Sequence, residues 1–388
     1  MKGLLYLSWR HVCAHPARTL LLGLCIALAL WVPWTASELA TRYDADLRSR
    51  AAATPLVVGA PGNRYDLTLS ALYFRPTELD TVTYRDFEDL SKAGPALCIP
   101  LHLRFTARGA PIVATSIEYA EFRGLALASG RDPLRIGEVT LGATLAEELG
   151  LGTGDTIYSD PTELYDIARP PALKMRIAGV YAPSATPDDR ALFCDIRTAW
   201  VLEGIAHGHA EPDDIDEELV LSRTEESVSV SGALIEYAEV TADNEASFHY
   251  HGDTSLLPLS AVIAVPPTTK DATLLKSGVN ARRTALAVTP TAVIDDLLGV
   301  VFRIKRFFDL VGTFLVGTTA ALVALVFLLA TRLRTAELRT LDRMGAPRRA
   351  AMTLVGVEIA GVLGFAVALA FGLTKATLWL LPNLVASF

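Results

Sequence analysis

Two His-x-His pairs are the residues best suited to chemistry in this chain. His207 and His209 flank a glycine, and His249 and His251 flank Tyr250, with Asp253 just beyond. Between the pairs lies an acidic stretch with Glu211, Asp213, Asp214, Asp216, Glu217 and Glu218. Imidazole nitrogens with carboxylates to complete the shell form a donor set that zinc accepts. His-x-His is a short motif, however, and the same composition describes a solvated acidic insertion. Both readings of residues 207–253 stand open. Cys98 and Cys194 each sit in an apolar, strand-like run, ALCIPLHL and ALFCDI. In an oxidising compartment they are candidates for a disulfide; the alternative is two buried small apolar side chains. Cys13 and Cys25 precede or enter the first apolar run.

Other chemistries lack their residues. No Gly-x-x-x-x-Gly-Lys-Ser/Thr occurs, so the chain has no recognisable phosphate loop and no ATP site of its own. Seven histidines accompany no nucleophile motif and no Ser-His-Asp or Cys-His pattern. The expectation is a protein that is not an enzyme, with no catalytic residue and no bound cofactor apart from the zinc reading.

The elements that must position these residues follow from hydropathy. Hydrophobic residues make up 51% of the chain, too many for an ordinary soluble domain, and they gather at the two ends. Leu20 to Trp34 is an apolar run preceded by Lys2, Arg10 and Arg18 with no acid. It reads as a first span (19–38) with the N-terminus in the cytoplasm, and Pro33 is expected to end or kink it. A cleaved signal peptide is the competing reading, but the 18-residue leader (1–18) also reads as an amphipathic helix on the inner leaflet. Phe307 to Ala330 and Thr353 to Leu373 are each over 20 residues long, enough at about 1.5 Å per residue to cross a core of about 30 Å. The segmentation expected is therefore stalk and second span 291–331, a cytoplasmic segment 332–352, a third span 353–375 and an external end 376–388.

Residues 39–290 form the large external domain between the first and second spans. Strand-like bursts (PLVVG, LHLRF, PIVATS, LKMRIAGVYA, SAVIAV) alternate there with helical pieces (TYRDFEDLSKA, GATLAEELG). That mixture predicts an α+β domain rather than a doubly wound parallel sheet. Gly137 to Ile157 reads as strand, short helix, glycine turn, strand. The net charge of −8 hides a basic leader and a basic cytoplasmic loop, leaving about −15 for the remainder, which argues against a nucleic-acid partner.

The segment TRLRTAELRTLDRMGAPRRAAM, Thr331 to Met352, is the strongest local signal. It carries six arginines against Glu337 and Asp342. Short positive loops stay in the cytoplasm, and two helices around a Gly-Ala-Pro break exceed what topology alone needs.

Three segments in order resemble one family. LSWRHVCAHPARTLLLGLCIALAL is similar to the start of ABC-transporter permease subunits of the macrolide-exporter type (MacB, FtsX, LolC/LolE). GEVTLGATLAEELGLGTGDTI resembles their periplasmic core domain. ELRTLDRMGAPRRAAMTLVGVEIAGVLGFAVALAFG resembles their second cytoplasmic signature. The resemblance implies an inner-membrane, multi-pass subunit with its main domain in the periplasm. It implies a second permease copy, as homodimer or paralogue heterodimer, and two copies of a separate ATPase that holds ATP and Mg. Glu337, Arg339, Arg343, Gly345, Arg348 and Arg349 then form the coupling helix on that ATPase. DDLLGVVFRIKRFF, Asp295 to Phe308, fits a stalk that carries motion outward for export or extraction of periplasmic or lipid-linked cargo, with an adaptor or lipoprotein as a further partner. An FtsX-like regulator of a periplasmic enzyme and a zinc-linked binding module are the alternatives. The family's fourth span has no counterpart here.

Overall fold

The computed structural model describes residues 6, 10, 16–75, 79–161, 172–208, 220–223, 228–230, 238–241, 243–250, 252–333, 340, 343–344 and 348–380. In chain order, α1 (Pro16–Ala52) is followed by β1 (Leu56–Gly59), α2 (Arg64–Tyr73), β2 (Val82–Thr83), α3 (Tyr84–Lys92), β3 (Leu97–Ala107), β4 (Ala110–Thr115) and α4 (Glu118–Arg123). Next come β5 (Leu127–Gly130), β6 (Glu138–Leu141), α5 (Ala143–Leu149), β7 (Thr156–Tyr158), β8 (Lys174–Tyr181), β9 (Leu192–Asp195) and α6 (Ile196–Leu202). The short strands β10 (Ala206–His207), β11 (Val220–Arg223), β12 (Val228–Val230), β13 (His249–Tyr250) and β14 (Pro258–Leu259) precede β15 (Ala261–Val265), α7 (Thr269–Arg282), β16 (Leu286–Val288), α8 (Pro290–Leu333) and α9 (Arg348–Leu380). The chain divides into two compact units, Met1–Leu47 with Asp296–Phe388, and Arg48–Asp295.

The first unit is helical. α1, α8 and α9 each contain a stretch long and apolar enough to cross a membrane. Leu22, Ile26 and Ala27 of α1, Val323 and Phe327 of α8, and Val362, Ala366 and Ala370 of α9 form its buried seam. Small residues in that seam let the backbones approach, as helix pairs in lipid require. Leu310, Phe314, Leu322, Leu325 and Leu328 are exposed, the side chains that hydrocarbon would cover. α1 does not end at Pro33: it runs through the proline for 37 residues. The proline forfeits one intrahelical bond, but its surroundings hold the helix together. Trp31 Nε1 donates to Thr377 Oγ1 at 3.3 Å, and the Thr35 and Thr374 hydroxyls pair at 3.1 Å. Gly312 faces the ring, where a Cβ would stand 3.1 Å from Pro33 Cβ. Neighbouring helices thus support the break.

The second unit is a ten-stranded mixed sheet with helices packed on it. Strand order is β16-β1-β15-β3-β4-β9-β6-β8-β5, with β7 also on β8. Neighbours are antiparallel except β4 with β9 and β6 with β8. Every strand-like burst read from the sequence lies in this sheet. Val58, Ile112, Leu141, Ile177, Leu192 and Val262 belong to its core. α3 starts on a capping box between Thr83 and Asp86. α5 stops at Gly150 in the left-handed region, φ 64°, a conformation that costs an L side chain energy. The unit is therefore the α+β domain between the first and second apolar helices, bounded by the last residues of α1 and the first residues of α8.

Candidate functional site

The site that stands out is built around the last turn of α1. Helix α1 continues well past the 19–38 segment expected for the first span, and its final turn carries Arg50 into the α/β unit. The guanidinium is buried, with the Arg50 residue 7% exposed and Asp188 2%. Arg50 Nη1 and Nη2 donate to the two Asp188 oxygens at 2.5 and 3.0 Å. Arg50 Nε donates to the Leu72 carbonyl, and Nη2 also reaches Tyr119 Oη at 3.1 Å. The Tyr119 hydroxyl donates to Asp188 at 2.7 Å, and the Thr186 hydroxyl donates to it at 2.8 Å. The pair is thus bidentate and its carboxylate saturated, the conditions under which a buried ion pair is tolerated.

Aromatic rings enclose it. The Arg50 guanidinium lies 5.5 Å from the Phe74 ring centre. Phe193 stacks on Tyr119 at 5.6 Å and meets Phe74 and Tyr181 edge to face at 6.2 and 5.5 Å. Burial works against the charge on Asp188, yet the adjacent Arg50 and the hydrogen bonds from Arg50, Tyr119 and Thr186 hold its carboxyl below the usual range. Burial, reinforced by the Asp188 charge, pushes the Tyr119 phenol well up. At neutral pH this is an ionised pair capped by a neutral tyrosine.

The loop that supplies Asp188 is itself fixed. Asp189 accepts from the backbone N–H groups of Ser184 and Ala185 at 2.9 and 2.8 Å. Its carbonyl edge rests on Gly142, where a Cβ would meet the Asp188 carbonyl oxygen at 2.2 Å and the Asp189 carbonyl carbon at 2.5 Å. Gly142 is the glycine before α5, so here a close backbone approach, not a turn, demands it. A second tie lies at the unit's boundary: Arg48 of α1 forms an ion pair with Asp295 of α8, both partly exposed. Arg123 adds a third, donating to the Thr54 hydroxyl at 3.0 Å, which in turn donates to the Arg50 carbonyl at 3.0 Å.

Sequence reasoning missed Arg50 and Asp188. They stand 138 residues apart, and neither belongs to a motif. The local hint was a second arginine in DLRSRAAA, past the apolar stretch of α1 that needed none.

The residues singled out from the sequence are placed as follows. Arg343 is exposed, and Arg348 and Arg349 open α9. Glu337, Arg339 and Gly345 lie outside the described residues. His207 and His249 are directly opposed on β10 and β13, while His209, His251 and the acidic stretch 211–218 lie outside the described residues. Among the described residues, no group of three or more His, Cys, Asp or Glu is arranged to hold a metal. Cys98 and Cys194 do not form a disulfide: both thiols are free. Cys98 lies on β3 and Cys194 on β9, with β4 between them, and the residue level with Cys194 across β4 is His102, four positions along from Cys98. Two strand spacings and four residues place them roughly 16 Å apart, against about 7 Å for a bridge. Burial pushes both thiols up, so they are packed as small apolar side chains.

No protein-family model matches the chain, and no curated protein does. Among solved structures, it is similar to the periplasmic region of MacB from Actinobacillus actinomycetemcomitans, at 10% identity and TM-score 0.36 over 63% of this chain and 92% of that one. It is also similar to the extracellular domain of the noncanonic ABC-type transporter YknZ from Gram-positive bacteria, at 11% identity and TM-score 0.33 over 61% of this chain and 99% of that one.

Proposed function

We propose that this chain is the membrane subunit of an ABC-type transporter, in which a separate cytoplasmic ATPase drives motion of the α/β domain on the far side of the membrane. One observation carries the reading: the first and second apolar helices are both longer than a bilayer needs, and both enter the α/β unit as continuous helix. α1 has 37 residues and α8 has 44, about 55 and 66 Å against a core of about 30 Å. Displacement at the cytoplasmic end of such a helix reaches its far end only if that end is gripped. Within the α/β unit, Arg50 provides the grip on the last turn of α1, and Arg48 pairs with Asp295 in the first turns of α8.

The Arg-rich segment between α8 and α9 is the docking surface for the ATPase, with Glu337, Arg339, Arg343, Gly345, Arg348 and Arg349 as its candidate contacts. Its charge supports a cytoplasmic location, which puts the N-terminus inside and the α/β domain in the periplasm of a bacterial inner membrane. The ATPase, present in two copies, holds ATP and Mg; two permease chains complete the assembly, and the work done is export or extraction of periplasmic or lipid-linked cargo.

Reversing Arg343 and Arg348 together to Glu tests the docking assignment. An exposed ion pair contributes only about 0–1 kcal/mol, so the double variant is needed. It should insert into the membrane and fold as before but no longer retain the ATPase on co-purification. Retention at the wild-type ratio overturns the assignment.

A further inference from the structure

A groove on the α/β unit plays no part in the coupling reading. It runs between α3 and α7 and encloses about 300 Å³. Each helix lines it with one stripe. Asp86, Asp89, Leu90 and Ala93 face it from α3 and the residue that follows; Asp271, Leu274, Leu275, Gly278, Val279 and Arg282 face it from α7. That is the i, i+3, i+4, i+7 spacing of a single helix face. Leu90 and Val279 are buried at its base, while Leu274 on its lip is 60% exposed. From Asp271 to Arg282 the α7 stripe is about 16 Å long. The groove is preformed, because α7 is pinned to β16 and the residue after it. The Asn280 side chain exchanges hydrogen bonds with the Ala287 backbone at 3.1 and 2.8 Å, and Lys276 Nζ donates to the Thr289 hydroxyl at 3.0 Å.

Gly278 keeps the space open. Inside a helix, glycine costs stability relative to alanine. Neither common reason to accept that cost holds here. Gly278 is not among the glycines with positive φ, and a Cβ on it would meet no atom within 4 Å. What its missing side chain does is leave room between the helices, as Ala93 and Gly94 do at the end of α3.

The charge of the groove is one-sided: three carboxylates and one guanidinium line it. Asp86 and Asp271 are engaged in helix caps, accepting from the Thr83 and Thr268 hydroxyls at 2.7 and 2.6 Å. Asp89 is exposed. The nearby Lys92 forms its salt bridge with Glu88 instead, at 2.9 Å, which leaves the Asp89 carboxylate available to a cation. The volume is at the lower bound for small-molecule sites, and Asp89, Leu274, Gly278 and Arg282 are all exposed along the open side. Such a groove buries too little of a small ligand. It suits apolar side chains projecting from a longer segment laid along it.

We propose that the α3–α7 groove is a docking site for a basic, amphipathic peptide segment of an extracytoplasmic partner protein. Apolar side chains of the segment fill the space over Gly278, and a Lys or Arg pairs with Asp89. The extracytoplasmic setting rests on the transporter reading; the shape and charge of the groove do not.

The test uses the full-length chain in nanodiscs of phosphatidylcholine, a lipid without net charge, with empty nanodiscs as the blank. The probe is a fluorescein-labelled amphipathic peptide of about 14 residues, some 21 Å long as a helix, with leucines on one face and lysines on the other. By anisotropy it should bind saturably, one per chain, with a micromolar dissociation constant. Its glutamate-for-lysine counterpart should bind at least tenfold more weakly. Gly278→Trp should weaken binding at least tenfold and Asp89→Lys about threefold or more, whereas Glu147→Lys, the same charge change away from the groove, should leave it unchanged. Gly278→Ala should melt no lower than wild type, showing that the glycine is not needed for folding. No saturable binding, equal binding of the acidic counterpart, or binding untouched by Gly278→Trp would each overturn the proposal. Displacement by millimolar phenethylamine would assign the groove to a small cation, and self-association lost in Gly278→Trp, by light scattering, would assign it to a second copy; either overturns it too. No ATPase is present in the assay, so failure here leaves the transporter reading intact.

Discussion

Replacing Arg50 with methionine isolates the energetics of the grip on α1. The substitution keeps an unbranched apolar stem against Phe74 and removes the guanidinium with its bonds to Asp188, Tyr119 and the Leu72 carbonyl. What remains is a carboxylate 2% exposed that has lost its counter-ion and keeps the Tyr119 and Thr186 hydroxyls as donors. Removing one partner of a buried pair costs about 3–5 kcal/mol, because the other charge stays desolvated and uncompensated. For a domain of this size, each kcal/mol is worth about 2–4 °C, so Tm should fall by about 6–20 °C. The assay is thermal unfolding of the full-length chain in detergent, followed by near-UV circular dichroism. Arg50→Met/Asp188→Leu, which removes both charges, should recover part of the loss, giving a coupling energy of about 1–3 kcal/mol in the double-mutant cycle. If Arg50→Met melts within about 2 °C of wild type, or if the two single effects simply add, then the pair is not a dry, mutually dependent tie, and the grip on α1 must be sought elsewhere.

Acid should act on the same pair. The Asp188 carboxyl is held below its ordinary value in the folded protein, so the unfolded chain takes up the proton first as pH falls. The stabilisation is complete above the unfolded value of about 3.9 and declines below it; a Tm-versus-pH series should show the gap between wild type and Asp188→Asn narrowing below about pH 4. Gly142→Ala drives a Cβ into the backbone carrying Asp188 and Asp189. Overpacking of this kind costs about 1–3 kcal/mol, and a Tm equal to wild type would show that the loop is free to move away. Alkylation of the denatured protein with and without prior reduction should label Cys98 and Cys194 to the same extent, since both thiols are free; extra labelling after reduction would reveal a disulfide the strand order forbids.

Periodicity and hydropathy are local properties, and what depends on them alone was legible in the residues. Runs of more than 20 apolar residues can hide their backbone polar groups in lipid only as helices, so α8 and α9 were visible in the sequence. PLVVG, LHLRF and SAVIAV marked strands as short runs rich in apolar residues between Gly, Pro and Asp turns, and β1 and β15 are accordingly buried along almost their whole length. The turn after α5 was visible because Gly150 takes a left-handed conformation. Tertiary structure decided the rest. Pro33 forbids a hydrogen bond locally, and only packing against Gly312, Thr374 and Thr377 let α1 continue through it. Cys98 and Cys194 looked alike in sequence, and strand order alone separated them. His207 faces His249 because register, not spacing, sets cross-strand partners. The pairing of Arg50 with Asp188 spans 138 positions. No pattern within either segment specifies it, because its energy exists only when folding has removed water from both charges at once.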